Sequence, residues 1–186
     1  MAQPAMSEAP ATHTTISLAR LLPFFGIAFA VVAADQFTKS LIRGWLDRGE
    51  SWPSRDGWLQ LSHVENSGAA FGILQDARVF LLIMPVVGIG ALLIFFYAAP
   101  LGGRLYTTAL AFILGGATGN FIDRATGDGS VTDFIDPTHY PSFNLADSAI
   151  VVGVATTALG LALVVRIRSA YDTIEEDEIH QLDEDA

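Results

Sequence analysis

Four long apolar segments limit what this chain can fold into more than any other feature of its sequence. The clearest, residues 79–99, has no charged residue in 21 positions. A helix of that length spans about 31 Å, which matches the hydrocarbon core of a bilayer. Three further segments are apolar for most of their length and polar near one end. The sequence therefore predicts four membrane-spanning helices, at about residues 19–39, 79–99, 105–123 and 144–166.

The segment between the first two spans has the pattern of a small folded part outside the membrane. Trp58, Leu59, Leu61 and Val64 alternate roughly with polar residues, which is the period of a half-buried strand. Turn-forming residues lie just before them, at residues 53–57. The predicted fold class is an all-α membrane protein whose four transmembrane helices carry a small β-rich cradle between helices 1 and 2.

The two ends of the chain differ from its apolar middle. Residues 1–17 are polar and lack the basic start of a cleaved signal peptide, which predicts a flexible leader. Residues 18–169 are the predicted four-helix membrane domain. The net charge is −10, and eight of the twenty acids lie in the last fifteen residues. Such a run of like charges repels itself, so residues 170–186 are predicted to be a disordered acidic tail without a catalytic role.

Several reaction types are excluded or disfavoured by composition. The chain has no cysteine, which excludes a thiol nucleophile, a disulfide and a thiolate metal site. Zinc hydrolysis is disfavoured because histidines at helical ligand spacing are missing, and no metal or other cofactor is expected. Ser148 and His139 offer a serine-type site, but nothing orders a base beside that hydroxyl.

Carboxylates and amides collect near the ends of two spans. Asn120, Asp123 and Arg124 have i, i+3 and i+4 spacing, so they share one face at the end of the third span. Asn144 and Asp147 have i, i+3 spacing at the start of the fourth. Consecutive spans joined by a short connection are antiparallel, so these two ends lie at the same membrane level. Charged groups at membrane depth are costly and are functional candidates for that reason.

A third acid, Asp133, lies between apolar neighbours in the connection between these spans. Two carboxylates within a few ångströms cannot both ionise easily, so one keeps a proton while the other stays anionic. The anion can activate water while the acid polarises a carbonyl, as in aspartic peptidases. Reasoning from the residues leaves open whether Asp133 or Asp123 is the partner of Asp147.

Structural interpretations of the same residues compete with this one. Asn144 can cap a helix, with Asp147 favoured by the helix dipole. Asp123 lies at a helix C-terminus, so Arg124 or a neighbouring helix must compensate its charge. Asp35 and Lys39, at i and i+4, are interpreted as a helix-end ion pair with the lysine snorkelling to the interface. Three glycines of the third span predict close helix packing: Gly115, Gly116 and Gly119.

Two other functional classes fit a four-span protein. A proton-coupled carrier or small channel also needs charged groups at membrane depth, but it predicts a polar trail through the bilayer. The acids here gather at one face, and the second span is wholly apolar. A structural scaffold would leave the convergent Asn and Asp pairs unexplained.

Five segments in order carry a family resemblance. They are AADQFTK (33–39), ENSGAAFGIL (65–74), GGATGNFIDR (115–124), VTDF (131–134) and FNLADSAI (143–150). Together they resemble bacterial lipoprotein signal peptidase, also called signal peptidase II, over about residues 24–165. The resemblance implies that Asp133 and Asp147 are the catalytic pair and that Asp123 has a supporting role. It also implies a pocket lined by the polar side chains of Asn66, Asn120, Arg124 and Asn144. Asp35 and Lys39 would support this pocket.

The resemblance also implies a function and a location. The family removes the signal peptide from prolipoproteins just before a diacylglyceryl-modified cysteine, and globomycin inhibits it. The implied partners are these precursors, membrane lipids and globomycin-type inhibitors; no nucleic acid is expected. Both termini would be cytoplasmic in the bacterial inner membrane, with the cradle and the site at the outer face. One departure is that only fourteen positions separate Asp133 from Asp147, which should limit the loop that covers the site.

Overall fold

Four long helices and a three-stranded sheet make up the structure, a computed structural model that describes residues 18–53, 57–68, 78–98 and 103–184. The helices are α1 (Leu18–Trp45), α2 (Arg78–Ala98), α3 (Arg104–Thr126) and α4 (Leu145–Glu184). The strands are β1 (Ser51–Trp52), β2 (Leu59–Asn66) and β3 (Val131–Pro137). In the described part of the chain, all four helices are long and apolar enough to cross a membrane, which confirms the predicted fold class.

The ends of the helices differ from the predicted spans. α1 continues to Trp45, six residues beyond the expected end, and α4 continues to Glu184. The C-terminal segment was expected to be disordered from residue 170, whereas the structure describes it as helix up to Glu184. Extending an existing helix needs no new nucleus, so an acidic sequence can continue one that starts in the membrane. The predicted leader, residues 1–17, lies outside the described residues.

The sheet combines two distant parts of the chain. β1 pairs antiparallel with β2, and β2 pairs antiparallel with β3, which comes from the connection between α3 and α4. The predicted cradle between helices 1 and 2 is therefore present, but its third strand comes from elsewhere. Asn66 pairs with Val131 and Val64 with Asp133. This pairing places Asp133 on a strand, where an ordinary loop was expected.

Helix α3 is the centre of the bundle because its glycines allow close approach. A Cβ atom on Gly115 would lie 2.7 Å from the Ala28 carbonyl oxygen of α1. A Cβ atom on Gly119 would lie 2.6 Å from Asp35 Oδ2, and one on Gly116 would overlap the backbone of α4 at Ala146. The predicted packing role of these glycines is confirmed, and it brings the polar ends of α1, α3 and α4 together.

Candidate active site

The first turn of α4 carries a reciprocal helix cap. The backbone N–H of Asp147 donates to Asn144 Oδ1 at 2.9 Å, and the backbone N–H of Asn144 donates to Asp147 Oδ2 at 3.3 Å. Each side chain thus satisfies a backbone donor that the start of a helix leaves free. The cap fixes both side chains while the second oxygen of Asp147 stays available to other groups.

Asp133 lies on β3 and is only 2% exposed. Its Oδ2 accepts a hydrogen bond from Asn66 Nδ2 at 2.8 Å, and its Oδ1 accepts one from Asn144 Nδ2 at 2.7 Å. The Asn66 amide is held in this orientation because its oxygen accepts the N–H of Gly68, at 2.9 Å. Gly68 has a φ of 71°, a conformation that favours glycine.

Asn120 of α3 and Asn144 connect the two acids. Asn120 Nδ2 donates to Asp147 Oδ1 at 2.7 Å. Asn144 Nδ2, which donates to Asp133, also lies 3.1 Å from Asn120 Oδ1. A continuous set of amide hydrogen bonds therefore joins Asp133 on the sheet to Asp147 on α4. The sequence predicted that these groups converge, and the described residues place them in one network.

The environment of Asp133 favours its protonated form. Burial raises the pKa of the Asp133 carboxyl above its ordinary value, and the negative charge of Asp147 raises it further. The hydrogen bonds from Asn66 and Asn144 act in the opposite direction but do not cancel the rise in pKa. Asp147, by contrast, is partly exposed and lies in the first turn of α4.

A second layer of charges lies behind Asn120. Lys39 is fully buried, and its Nζ lies 2.8 Å from Asp35 Oδ2, 2.9 Å from Asp123 Oδ2 and 3.0 Å from Asn120 Oδ1. The expected Asp35–Lys39 pair is confirmed, but the expected snorkelling of Lys39 is wrong. Its ammonium is turned inward because two buried carboxylates need a counter-charge, which water at the interface would not supply.

The negative charge of Asp123 is compensated by basic residues of the neighbouring helix α1, which is one of the two alternatives that its position left open. Besides Lys39, it lies 3.6 Å from Arg43 and accepts the backbone N–H of Thr132. Arg124 takes no part in this compensation by hydrogen bonding: its Nε is buried without a hydrogen-bond partner among the described residues. The charges of Asp123, Asp133 and Asp147 all act on the Arg124 guanidinium.

Sequence reasoning missed several residues of this second layer. Gln36 Nε2 donates to Asp123 Oδ1 at 3.0 Å and to the Gly119 carbonyl at 3.1 Å, and it lies 3.2 Å from Asp35 Oδ2. Thr132 accepts a hydrogen bond from Arg43 at 3.0 Å. A possible signal for Gln36 was its place inside the segment AADQFTK, three positions before Lys39. Thr132 had the same kind of signal, because it lies inside the segment VTDF, directly before Asp133.

Two alternatives can be compared with this geometry. Ser148 donates its hydroxyl to the Asn144 carbonyl of its own helix, while His139 is exposed on the loop after β3. Among the described residues, the buried polar side chains lie at the cradle end of the bundle, with the exception of Thr107. The described helices therefore contain neither an ordered serine–histidine pair nor a polar trail.

Known proteins are similar to this chain over most of its length. A family model described as "Signal peptidase (SPase) II" matches residues 27–163. A lipoprotein signal peptidase of Brevibacillus brevis is 45% identical over 143 residues, which cover 75% of this chain and 95% of that protein. One of Caldanaerobacter subterraneus is 47% identical over 128 residues, covering 68% and 86%. A solved bacterial membrane enzyme is 34% identical with a TM-score of 0.69, covering 75% of this chain and 92% of that one.

Proposed function

Because the chain belongs to the signal peptidase II family of aspartic-type peptidases, we propose that it cleaves prolipoproteins before their diacylglyceryl-modified cysteine. Asp133 and Asp147 are the proposed catalytic pair. The observation that carries the proposal is the amide network joining these two acids: Asn120 donates to Asp147, Asn144 donates to Asp133, and the two amides are hydrogen-bonded to each other. Of the three acids that the sequence brought together, Asp133 shares this network with Asp147, whereas Asp123 pairs with Lys39 behind it.

The two acids have different roles in the proposed reaction. Asp147 is the base: it is partly exposed, within reach of water, and it accepts hydrogen bonds from Asn120 and from the backbone of Asn144. Asp133 is the acid, because burial and the charge of Asp147 raise its pKa. An acid and a base at opposite ends of one network can act on a water and a carbonyl placed between them.

The reaction proceeds in two steps. In the first, Asp147 takes a proton from water as the water oxygen attacks the scissile carbonyl carbon, and Asp133 donates its proton to the carbonyl oxygen. In the second, the tetrahedral diol collapses: Asp147 donates its proton to the leaving nitrogen, the C–N bond breaks, and the proton on the oxygen returns to Asp133. Water supplies both product groups, so no cofactor is consumed.

The substrate enters beside polar groups that the second layer does not use. Arg124 has a buried Nε without a partner among the described residues, and Asn66 lies on the opposite side of Asp133 from Asn144. These two side chains would hold the peptide backbone of the substrate, and a cyclic peptide of the globomycin type would compete for the same donors. Membrane lipids surround the apolar helix faces through which a lipid-anchored precursor arrives.

The protein is a multi-pass membrane protein, and its orientation follows from the proposed reaction. α1 starts and α4 leaves the bundle on one side, while the sheet and both acids lie on the other. Exported precursors present their cleavage site at the outer surface, so both termini are cytoplasmic and the cradle faces outward. A carrier would instead need a series of buried polar groups along the bundle, whereas among the described residues only Thr107 is a buried polar side chain away from the cradle end.

The proposal is tested with the purified full chain in lipid nanodiscs and one precursor prepared with and without diacylglycerol on its cysteine. We expect mass spectrometry to find a product that begins at the lipidated cysteine. The unlipidated precursor should remain largely intact, because binding energy from the lipid part positions the scissile bond. Equal cleavage of both forms, or cleavage at another bond, would contradict the proposed substrate.

A further inference from the structure

We infer that Lys39 is a positioning residue for the reaction. By binding the amide oxygen of Asn120, it holds the NH₂ group of that amide towards Asp147 and so maintains Asp147 as the base. The inference rests on the proposed function and adds to it a residue that touches neither acid of the pair. Lys39 would otherwise be a purely structural counter-charge for Asp35 and Asp123.

Each of the three N–H donors of the Lys39 ammonium has an oxygen partner. Its ammonium carries three N–H groups and faces three oxygens at 2.8–3.0 Å, on Asp35, Asp123 and Asn120. The side chain is fully buried, so water does not replace any of these partners. An ammonium can only donate. The atom of Asn120 that faces Lys39 must therefore be the amide oxygen.

The orientation of Asn120 follows from this contact. Its Oδ1 lies between two donors, Lys39 Nζ at 3.0 Å and Asn144 Nδ2 at 3.1 Å. A flip of the amide would direct its NH₂ group at both of these donors, which is repulsive. The NH₂ group is thereby held towards Asp147 Oδ1, at 2.7 Å. An NH₂ group can only donate, so it favours a bare oxygen on Asp147 over an O–H.

Without Lys39, one of the two constraints on the Asn120 amide is lost. The amide could then turn its oxygen to Asp147 and accept a hydrogen bond from the protonated carboxyl. Other charged groups face Asp147 as well: Asp133 from β3 and Arg124 from α3. Neither forms a hydrogen bond or an ion pair with Lys39 in the described part of the chain, and both remain when Lys39 is replaced. The charge of Lys39 also lowers the pKa of the Asp133 carboxyl, so its loss acts on the alkaline limb of the rate profile, whereas the acid limb reports Asp147.

The test measures the pH dependence of cleavage of a diacylglyceryl-modified precursor by full-length variants in nanodiscs. Lys39→Met alone leaves the buried carboxylate of Asp35 without the cation that pairs with it, and such a variant can fail to fold. The informative pair is Asp35→Asn and Lys39→Met/Asp35→Asn, which differ only at Lys39. In the double variant, Asp123 keeps Gln36, Arg43 and the Thr132 N–H as partners.

We expect the acid limb of the rate profile to lie about one pH unit higher in the double variant than in Asp35→Asn, the size of one strong hydrogen bond to a charged group. Gln36→Met is the matched control: it loosens the same charge cluster but keeps the Lys39–Asn120 bond, so its acid limb should stay at the wild-type pH. A double variant that is slower or less stable but has an unmoved acid limb would show that Lys39 is only structural. Absence of cleavage by the unmodified chain would instead overturn the proposed function.

Discussion

The side chain of Asn144 caps a helix and also belongs to the hydrogen-bond network of the proposed catalytic pair. Its oxygen caps α4 through the backbone of Asp147, while its NH₂ group binds Asp133 and Asn120. A helix start is a rigid place for a base, because the cap fixes the side chain and the dipole favours its charge. The structural interpretation of the Asn144–Asp147 pair as a helix cap is therefore confirmed, and it is compatible with the proposed catalytic role of Asp147.

At Asp133 the raised pKa leads to a prediction about pH. The carboxyl keeps its proton above its ordinary range, so the active acid form is lost only as the pH rises through the raised value. The hydrogen bond from Asn66 opposes this rise in pKa. We expect Asn66→Ala to lower the maximal rate and to move the alkaline limb of the rate profile to higher pH. An alkaline limb that moves to lower pH in this variant would contradict the role of Asp133 as the acid.

Individual site residues were predictable where a local rule applied. Asn120, Asn144 and Asp147 follow from helix spacing, because positions three and four apart share a face. Gln36 and Thr132 could not be found in this way. The main partners of Gln36, Gly119 and Asp123, lie on another helix. The partners of Thr132 come from two helices and a neighbouring strand: Arg43, Asp123 and Glu65.

Among the elements, the contact between α3 and α4 determines whether Asn120 reaches Asp147. Gly153 makes this contact possible: a Cβ atom there would lie 2.5 Å from the Ala109 carbonyl oxygen and 2.6 Å from Ile113 Cγ1. We expect Gly153→Ala to cost about 1–3 kcal/mol in the free energy of unfolding, typical of overpacking, and to slow cleavage because α4 is displaced. Thermal unfolding and cleavage rates in nanodiscs measure both effects.

Gly160→Ala on the same helix is the control for this prediction. A Cβ atom at Gly160 would meet no heavy atom within 4 Å, and alanine favours helix over glycine. Stability and cleavage rate should therefore equal or exceed those of the unmodified chain. Equal effects of the two substitutions would mean that the close approach of α3 and α4 does not hold the site together.

The existence of the helices was predictable, and their ends were not. An uncharged stretch of 21 residues admits few alternatives to a membrane span. The last turns of α1, residues 40–45, mix Leu41 and Ile42 with Ser40 and Arg43, so no change in composition marks the end of the helix. Strand β3 was not predicted, for a different reason. The segment VTDFIDP is short, and its hydrogen-bond partners lie on β2, which is distant in the sequence.

For the whole molecule, the proposed orientation in the membrane can be tested directly. The natural chain has no cysteine, so a single introduced cysteine reports its own location. We expect His139→Cys, exposed after β3, to react with a membrane-impermeant maleimide in intact cells. Ser169→Cys, exposed on α4, should react only after the membrane is permeabilised. The reverse pattern would contradict cytoplasmic termini and an outward site.

The most direct test of the catalytic pair is cleavage of a lipidated precursor by Asp133→Asn, Asp147→Asn and Asp123→Asn, each purified and compared at equal amounts of folded protein. General acid–base groups contribute about 10²–10⁴-fold to a rate, so the first two variants should fall to background while remaining folded. Asp123→Asn should keep measurable cleavage, because Asp123 contacts Lys39 and not the network of the two acids. Normal processing by Asp133→Asn or Asp147→Asn would contradict the pair.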